Sequence, residues 1–445
     1  MNNNGIYFIF MVFLISLTPL KVRSQSDTDS TLSSIVSEVW ARDAELKSLL
    51  ARRDESSALA QQAAALPNLM FSADLNNLTL DGLDFNQEPM SQLRLGLAQQ
   101  LPRGNSRQLT TALYQQQGHA LRWQAEHRRF TLLEQTATLI LGIQQTHSDL
   151  SLNDQRQHAI EDLLALSEAA YRNAYGAVKQ QDLIEAELEL LQNEDRQQQL
   201  EQRLNELQAE LAAMMFSSQA VTQHRRVRVS TTAVNIPSVD TKQMSWQALL
   251  RHPGIQAANE RLIKAQTAVE LAEQQKKPAV TLKTSYGYRD DAPNGLNRDD
   301  LFSIGFSMDL PGFNKQRSGD LIKAKVSALQ AAEADREALL RELHKTWLAS
   351  QQSLQSQLQR TTLYQQQLLP QLKQLADVQM TAYANEGADF ADVLRAQLSW
   401  YHARSTLNQL HTQTRLLQLK LLLLTASDSR QLLDQLSAQG DNHED

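Results

Sequence analysis

The sequence contains no cysteine among its 445 residues. Disulfide bonds, thiolate metal ligands and cysteine nucleophiles are therefore excluded, and so is a lipid attached to a processed N-terminal cysteine. The cellular compartment has to be inferred from other features of the chain.

Helix-breaking residues are scarce. The chain has 15 Gly and 10 Pro, and no proline lies between Pro102 and Pro237. Because proline is the strongest helix breaker, this stretch can form very long helices. With 42% hydrophobic and 21% charged residues, the chain can also bury a large core.

Long hydrophobic runs are nearly absent. Residues 6–20, IYFIFMVFLISLTPL, form an apolar run that is too short to span a bilayer comfortably, and no later segment approaches the length of a spanning helix. Val22-Arg23-Ser24 resembles a signal-peptidase pattern, so residues 1–24 are predicted to be a signal peptide of an exported protein. A buried N-terminal helix is the alternative interpretation.

Catalytic motifs are missing as well. The sequence has no HExxH, EF-hand, P-loop or GxGxxG spacing and no serine elbow, its ten histidines are scattered, and its nine methionines form no cluster. We therefore predict no enzymatic activity, no catalytic residue, no cofactor and no metal site. The net charge of −7, which becomes −9 if Lys21 and Arg23 are removed, argues against nucleic acid as a partner.

The most informative feature that is present is an internal repeat. Residues 91–102, SQLRLGLAQQLP, return as residues 300–311, DLFSIGFSMDLP, so that Gly96 corresponds to Gly305 at an offset of 209. A duplicated unit of strands and helices has apolar faces to bury against further copies of itself, which favours a ring-like assembly.

Four short segments alternate between apolar and polar residues, as β-strands with two different faces do. Segments of about ten residues with this pattern are what a membrane β-barrel with a wet lumen requires, and four strands are too few to close one, so several chains must contribute. Two amphipathic hairpins packed on a soluble core are the alternative. The apolar positions are Leu69, Phe71, Ala73 and Leu75; Leu93, Leu95, Leu97 and Leu101; Val280, Leu282, Tyr286 and Tyr288; and Phe302, Ile304, Phe306, Met308 and Leu310.

A long helical stretch follows each strand pair. Residues 105–176 and 314–386 would each be about 105 Å long if unbroken, and Pro370 should kink the second. The predicted returning helices, 183–215 and 393–425, are shorter, so helices at 32–66 and 246–276 should complete the bundle. Residues 217–243 and the tail after Ala426 show neither helical nor strand periodicity, and they are expected to form a belt around the middle of the bundle.

With these elements in place, the chain resembles the TolC-type outer-membrane efflux channels from about Leu32 to Ala426. Three strings resemble the heavy-metal cation-efflux (Czc/Cus-type) branch of channels that serve RND pumps. The resemblance implies a homotrimer in outer-membrane lipid, with a twelve-stranded barrel, a periplasmic α-helical coiled-coil tunnel, a periplasmic adaptor (membrane fusion) protein and an inner-membrane RND pump. The strings are LAQQLPRGNSR at 97–107, HPGIQAANERLIKAQTAVELAEQQKKPAVTLKTSYGYRDD at 252–291, and FSIGFSMDLPGFNKQRSGDLIKAK at 302–325.

The resemblance also places a gate at the periplasmic turns. Gly176 suits a helix end, and Asp182 suits the start of the next helix because a carboxylate accepts free backbone N–H groups. Asp392 corresponds to Asp182 at an offset of 210, although the glycine of the second turn, Gly387, comes one position late. The acidic side chains would line a constriction that favours cations, with N-capping as the simpler interpretation. A cross-repeat ion pair between Glu185 and Arg395 is a further hypothesis, and Asp389 completes the predicted tip.

The predicted fold is thus mainly α with membrane β, with four barrel strands per protomer. The predicted function is passive conduction of substrate, heavy-metal cations in the first place, from pump and adaptor to the exterior. The same channel serving multidrug efflux or type I protein secretion remains an alternative, and a periplasmic coiled-coil structural protein is a more distant one. The predicted segments are 1–24 (signal peptide), 25–66 (N-terminal helical segment), 67–102 (strands 1–2), 103–216 (first helical hairpin), 217–245 (equatorial segment), 246–277 (helix), 278–311 (strands 3–4), 312–426 (second helical hairpin) and 427–445 (C-terminal tail).

Overall fold

The computed structural model describes residues 31–80, 84–172, 180–215, 236–237, 245–385 and 389–438. The predicted signal peptide and most of the predicted equatorial segment lie outside these ranges. Within them the chain is mainly helical. Its α-helices are α1 Leu32–Arg42, α2 Ala44–Ala64, α3 Ser106–Arg172, α4 Gln180–Met215, α5 Pro253–Gln274, α6 Lys315–Leu363, α7 Leu369–Ala384, α8 Phe390–Thr425 and α9 Ser429–Ala438.

Four strands form one antiparallel sheet in the order β1-β2-β3-β4. The four segments predicted from alternation are therefore confirmed as strands, and the two hairpins join where β2 pairs with β3. The sheet is open, with β1 and β4 at its edges. The strands are β1 Met70–Asn76, β2 Gln92–Leu101, β3 Val280–Tyr288 and β4 Leu301–Met308.

The register places the apolar positions of all four strands on one face. Leu95 lies opposite Tyr286, and Tyr286 lies opposite Phe302. Residues directly opposite each other in a ladder share a face of the sheet. The apolar face is exposed in the single chain, where 74% of Phe302 and 73% of Ile304 are accessible. The other face is polar, and on it Arg94 Nε donates a hydrogen bond to Ser285 Oγ over 2.9 Å.

The helices that leave the sheet are the longest elements. Helix α3 has 67 residues and is about 100 Å long at about 1.5 Å per residue. Its partner α4 returns alongside it over 36 residues. The second half repeats this arrangement: α6 and α7 lead away from the sheet and α8 returns. Helix α8 also has 36 residues. None of the helices among the described residues combines the length and the hydropathy that a bilayer-spanning helix needs.

The second outgoing helix changes from α-helical to π-helical hydrogen bonding just before Pro370, where the sequence predicts a kink. Residues Tyr364–Leu368 form a π-helical turn between α6 and α7, and Pro370 lies in the first turn of α7. Proline has no N–H to donate and crowds the carbonyl four residues before it, so the regular ladder cannot continue through this point.

Three predicted boundaries need correction. The predicted helix 32–66 is two helices that meet at Asp43, whose carboxylate accepts the N–H of Leu46 over 2.6 Å. The predicted helix 246–276 begins with a 3₁₀ turn, Trp246–Arg251, and becomes α-helical only at Pro253. The predicted tail contains α9, which buries Leu432, Leu433 and Leu436 at helical spacing.

The largest core cluster lies where α1, α9 and the ends of the return helices pack on the middle of α3. Leu133, Ile140 and Ile143 of α3 are at most 1% exposed. The cluster also includes Ile35 of α1 and Ile236, one of the three described residues of the predicted equatorial segment. The helical bundle is thus held together in its middle, and the sheet and the far helix ends project from it.

Candidate functional site

The predicted tip lies where α3 and α4, and α7 and α8, have their ends far from the sheet. A second core cluster brings these ends together through apolar side chains of α3, α4 and α8. Gly176 and Gly387, which belong to the predicted turns, lie outside the described residues. The buried cluster consists of Ile160, Leu163, Ala186, Phe390, Val393 and Leu394.

Phe390 anchors the beginning of α8 in this cluster. It is the first residue of the helix and only 2% exposed. The ring of Tyr383, near the end of α7, meets it edge-on with a centroid distance of 6.1 Å. The start of the return helix is therefore fixed by burial of an aromatic ring, although acidic residues lie next to Phe390 in the sequence.

Asp389 and Asp392 mark the start of α8, but not as predicted. Asp389 occupies the N-cap position with extended backbone (φ −78°, ψ 146°), and its carbonyl accepts the N–H of Asp392 over 3.1 Å. Asp392 is the third residue of the helix and lies in its first turn, so it is not the N-cap. A carboxylate in the first turn still interacts favourably with the helix dipole.

The predicted counterparts in the first half, Asp182 and Glu185, lie on α4. Asp392 and Arg395 are the third and sixth residues of α8. The described part of α4 begins directly after residues 173–179, which lie outside the described ranges, so the equivalence at an offset of 210 stays a prediction. Asp182 is half-buried and Glu185 is exposed.

Arg395 forms an ion pair within its own helix. Its Nη1 donates to Oδ1 of Asp392 over 2.9 Å, and both side chains are largely exposed. Arg395 also lines a groove between α4 and α8 that Glu185 lines from the other side. The cross-repeat pair of Glu185 and Arg395 therefore remains a hypothesis, and the pair that is formed in the single chain is the one with Asp392.

A hydrogen bond between two hydroxyl groups links the tip to the outgoing helices. Ser167 of α3, which is fully buried, lies 3.0 Å from the hydroxyl of Tyr383 on α7. Sequence reasoning missed this pair and Phe390, because the partners are 216 residues apart in the chain. One signal in the sequence could have indicated burial at this point: an aromatic residue, Phe390, directly follows Asp389 in a polar turn.

Above the tip, the groove between α4 and α8 deepens into a polar cavity of about 250 Å³ over α3. Asp149, Asn153 and Ser405 line it and are more than nine-tenths buried. Burial raises the pKa of Asp149 above its usual value. The described residues include no cluster of three or more His, Asp or Glu side chains that could hold a metal ion.

The described residues of the tip present charged side chains rather than a nucleophile and a base within hydrogen-bond reach of each other. Nucleophilic catalysis needs a nucleophile and a base within hydrogen-bond reach of each other, and acid–base catalysis needs a positioned proton donor. The tip instead presents the charges of Glu185, Asp389, Asp392 and Arg395 around a buried apolar cluster. Such charges act on ions at short range.

Known structures share this fold. The chain is similar to the structure of CusC, with a TM-score of 0.75 at 16% identity over 90% of this chain and 92% of that chain. It is also similar to the outer membrane protein VceC from Vibrio cholerae, with a TM-score of 0.72 at 18% identity over 89% and 96% of the two chains. The open state of the MtrE outer membrane channel from Neisseria gonorrhoeae gives 0.70 at 15% identity over 89% of each chain.

These likenesses establish the class of fold, that of the outer-membrane channels. A sequence profile then matches the second half of the chain: residues 245–427 fit the outer membrane efflux protein family. No curated protein is similar to the sequence at a significant level. The profile match includes β3, β4 and α5 to α8, and thus Asp389, Asp392 and Arg395 of the tip.

Proposed function

We propose that this chain is the subunit of an outer-membrane efflux channel in which three copies combine their strands into a twelve-stranded barrel. The observation that carries the proposal is the open sheet with one exposed apolar face and one polar face. Phe302, Ile304 and Phe306 of the edge strand β4 are 69–74% exposed. An exposed sheet edge is a liability in water, and closure with further copies removes it while the apolar face meets lipid.

The long helices support a trimer from a second direction. Ile184, Leu188 and Leu191 lie at helical spacing on α4 and are 53–63% exposed in the single chain. On α7, Leu375 and Val378 are 46% and 56% exposed. Apolar stripes of this kind mark surfaces that another helix covers. In the proposed trimer, the helices of neighbouring subunits cover them and enclose a periplasmic tunnel.

The channel is passive in this proposal, and its energy comes from an inner-membrane RND pump through a periplasmic adaptor protein. The tip with Asp182, Glu185, Asp389, Asp392 and Arg395 is the proposed gate, together with Gly176 and Gly387 in the turns. Support for this part comes from the resemblance of the turn sequences and from the charges that surround the second core cluster.

Heavy-metal cations are the proposed cargo. The support is the resemblance of residues 97–107, 252–291 and 302–325 to the metal-efflux branch and the acidic residues at the tip. Drugs and secreted proteins are the competing cargos for the same architecture. Growth of a deletion strain across a panel of metal salts and drugs distinguishes these cargos. Sensitivity to drugs alone would contradict the metal assignment and leave the channel intact.

The architecture has its own test. The full-length protein, purified from an outer-membrane fraction, should migrate as a heat-modifiable trimer and should produce ion conductance when it is added to a planar lipid bilayer. A monomer that stays dissolved without detergent and produces no conductance would contradict the proposed channel, and it would favour a periplasmic structural protein.

A further inference from the structure

A buried carboxylate lies at the crossing of three helices, well above the tip. Asp149 of α3 is 7% exposed and lines the cavity of about 250 Å³ between α3, α4 and α8. The proposed conduction of substrate makes no use of this group. Ionisable side chains are rarely buried without a partner of opposite charge, because desolvation of the charge is unfavourable.

The hydrogen bonds to Asp149 come from neutral groups. Ser405 Oγ of α8 donates to Oδ1 over 3.2 Å, and Gln145 Nε2 of α3 donates to Oδ2 over 3.5 Å. The amide of Asn408 on α8 donates to Ser148 Oγ over 3.0 Å and lies near enough to Asp149 to favour its ionised form. Asp149 therefore connects α3 to α8 through donors that also suit a neutral carboxyl group.

The charged groups around the cavity are largely occupied with each other. Arg156 of α3 forms an ion pair of 2.9 Å with Glu189 of α4. Arg196 of α4 donates to Ser405 Oγ over 3.3 Å, and its charge also acts on Asp149, where it opposes the effect of burial by lowering the pKa. Helix α8 contributes two titratable side chains to the lining: His402, and Tyr401, whose hydroxyl donates to the carbonyl of Gln155 over 3.0 Å.

The same cavity contains an acceptor that lacks a donor. Oδ1 of Asn153 is buried and has no hydrogen-bond partner among the described residues, while its Nδ2 donates to the carbonyl of Asn193 over 3.2 Å. Asn153 follows Asp149 by four residues, so the two side chains are neighbours on one face of α3. A protonated Asp149 carries one O–H donor, which the ionised form lacks.

We propose that this junction is a proton-sensitive joint, which holds α8 more firmly against α3 when Asp149 is protonated. The ionised carboxylate needs water in the cavity to solvate its charge. The neutral carboxyl group keeps the bond from Ser405 and adds an O–H donor inside the cavity, where Asn153 Oδ1 can accept it. The joint is a property of one chain, and only its consequence for the pore rests on the proposed function.

The direction of the pH dependence follows from burial. Because burial raises the pKa of Asp149 in the folded protein, folding favours its protonated form. The resulting stabilisation is complete below the ordinary aspartate value of 3.8 and is lost as the pH rises through the folded value. Helix α8 is therefore held most firmly at acidic pH. Asp392 and Arg395, at the start of the same helix, are the tip residues that this would restrain.

Asp149→Asn tests the joint, because asparagine has nearly the shape of a protonated aspartate and does not titrate. The full-length protein in detergent should be compared with this variant by thermal unfolding from about pH 4.5 to about pH 7.5. We expect the variant to be the more stable of the two at neutral pH, with a difference that shrinks towards acidic pH. Asp162→Asn, which replaces an exposed aspartate of the same helix, should follow the unchanged protein at every pH.

A local measurement keeps the test independent of global unfolding. At neutral pH, backbone amides of residues 398–408 should exchange about three- to tenfold more slowly in Asp149→Asn than in the unchanged protein, the factor that one net hydrogen bond contributes. If the variant does not fold, the unchanged protein should itself show the increase in protection of these amides, corrected for intrinsic rates, as the pH falls.

Two outcomes would contradict the proposed joint. One is a stability difference between Asp149→Asn and the unchanged protein that is the same at all pH values. The other is amide exchange in residues 398–408 that changes neither with pH nor with the substitution. Conductance measurements separate this inference from the proposed function. If no conductance is seen at any pH while the stability difference depends on pH, the channel proposal fails and the joint stands. Conductance without a pH-dependent stability difference would support the channel and overturn the joint.

Discussion

The hydroxyl oxygens of Ser167 and Tyr383 lie 3.0 Å apart, which joins the outgoing helices α3 and α7 beside the buried ring of Phe390. Ser167 donates its own proton to the carbonyl of Leu163 over 2.9 Å, so Tyr383 is the donor between the two hydroxyls. The link spans the two halves of the chain close to the predicted gate. A small change at Tyr383 should therefore loosen the tip specifically.

Tyr383→Phe should raise the amide exchange of residues 380–385 and 389–398 and lower stability by about 1 kcal/mol, the net contribution of one hydrogen bond. Tyr364→Phe is the matched control, since that hydroxyl makes no hydrogen bond within the described residues. Ser167→Ala should give a similar loss, and the double variant should lose little more than either single variant. Fully additive losses would contradict a direct bond between the two hydroxyls.

The two faces of β4 should respond in opposite ways to a new charge. Ile304 lies on the apolar face and its neighbour Ser303 on the polar face. In the proposed barrel, Ile304→Lys places a charge in lipid at a cost of about 2–4 kcal/mol near the midplane, whereas Ser303→Lys places it in the wet lumen. The yield of heat-modifiable trimer in the outer-membrane fraction measures both. Equal yields would argue against lipid on the apolar face.

Most of the strands and long helices could be predicted from the sequence, because each repeats one local rule over many residues. Alternation predicted β3 at 279–289, and it spans Val280–Tyr288. The absence of proline predicted the long helix α3, which begins at Ser106, one residue after the predicted start. The break at Asp43 was missed because neither Gly nor Pro causes it: one aspartate ends α1 and caps α2.

Only those features of the tip that depend on nearby sequence could be predicted. The repeat offset predicts that Asp182 and Glu185 of α4 correspond to Asp392 and Arg395 of α8. Burial of Phe390 depends on which distant helices pack around it, and one sequence without tertiary contacts does not contain that information. Helix α9 was missed for another reason, since ten residues are too short a window for periodicity to stand out.

His252 should make stability depend on pH in the direction opposite to Asp149. Its Nδ1 accepts the N–H of Gly254 over 3.2 Å at the start of α5. Burial, assisted by the nearby His127, lowers the pKa of His252 to about 4. Because folding favours the neutral ring, this stabilisation is present above the ordinary value of 6.5 and is lost as the pH falls through about 4.

His252→Asn should weaken this acid sensitivity, because asparagine can also accept the N–H at an N-cap and does not titrate in this range. Unfolding midpoints of the variant and the unchanged protein should therefore converge as the pH falls from about 6.5 towards about 4. His158→Asn is the control, since that side chain is 68% exposed. A constant difference between His252→Asn and the unchanged protein across this range would contradict the buried neutral ring.

Asn153 and Asn193 pair α3 with α4 through reciprocal hydrogen bonds. Each side-chain amide donates to the main-chain carbonyl of the other residue, over 3.2 and 3.3 Å, and both side chains are at most 3% exposed. Asn193→Ala should lower stability by about 1–3 kcal/mol, because it removes a buried hydrogen bond to the carbonyl of Asn153 and leaves a cavity between the two helices. Replacing both residues with Leu should recover much of this loss and relax the register of the two helices. Chemical denaturation and crosslinking between α3 and α4 measure the two effects separately.

The charge of the tip should be set jointly by Asp392 and Arg395. Their ion pair of 2.9 Å offsets the charge of a carboxylate that would otherwise favour cations at the proposed gate. Arg395→Ala should therefore shift the reversal potential of the channel in a KCl gradient towards that of potassium, and Arg395→Lys, which keeps the charge, should leave it nearly unchanged. Both side chains are exposed, so high salt should reduce the difference. If Arg395→Ala conducts with the selectivity of the unchanged protein, the gate lies elsewhere along the tunnel.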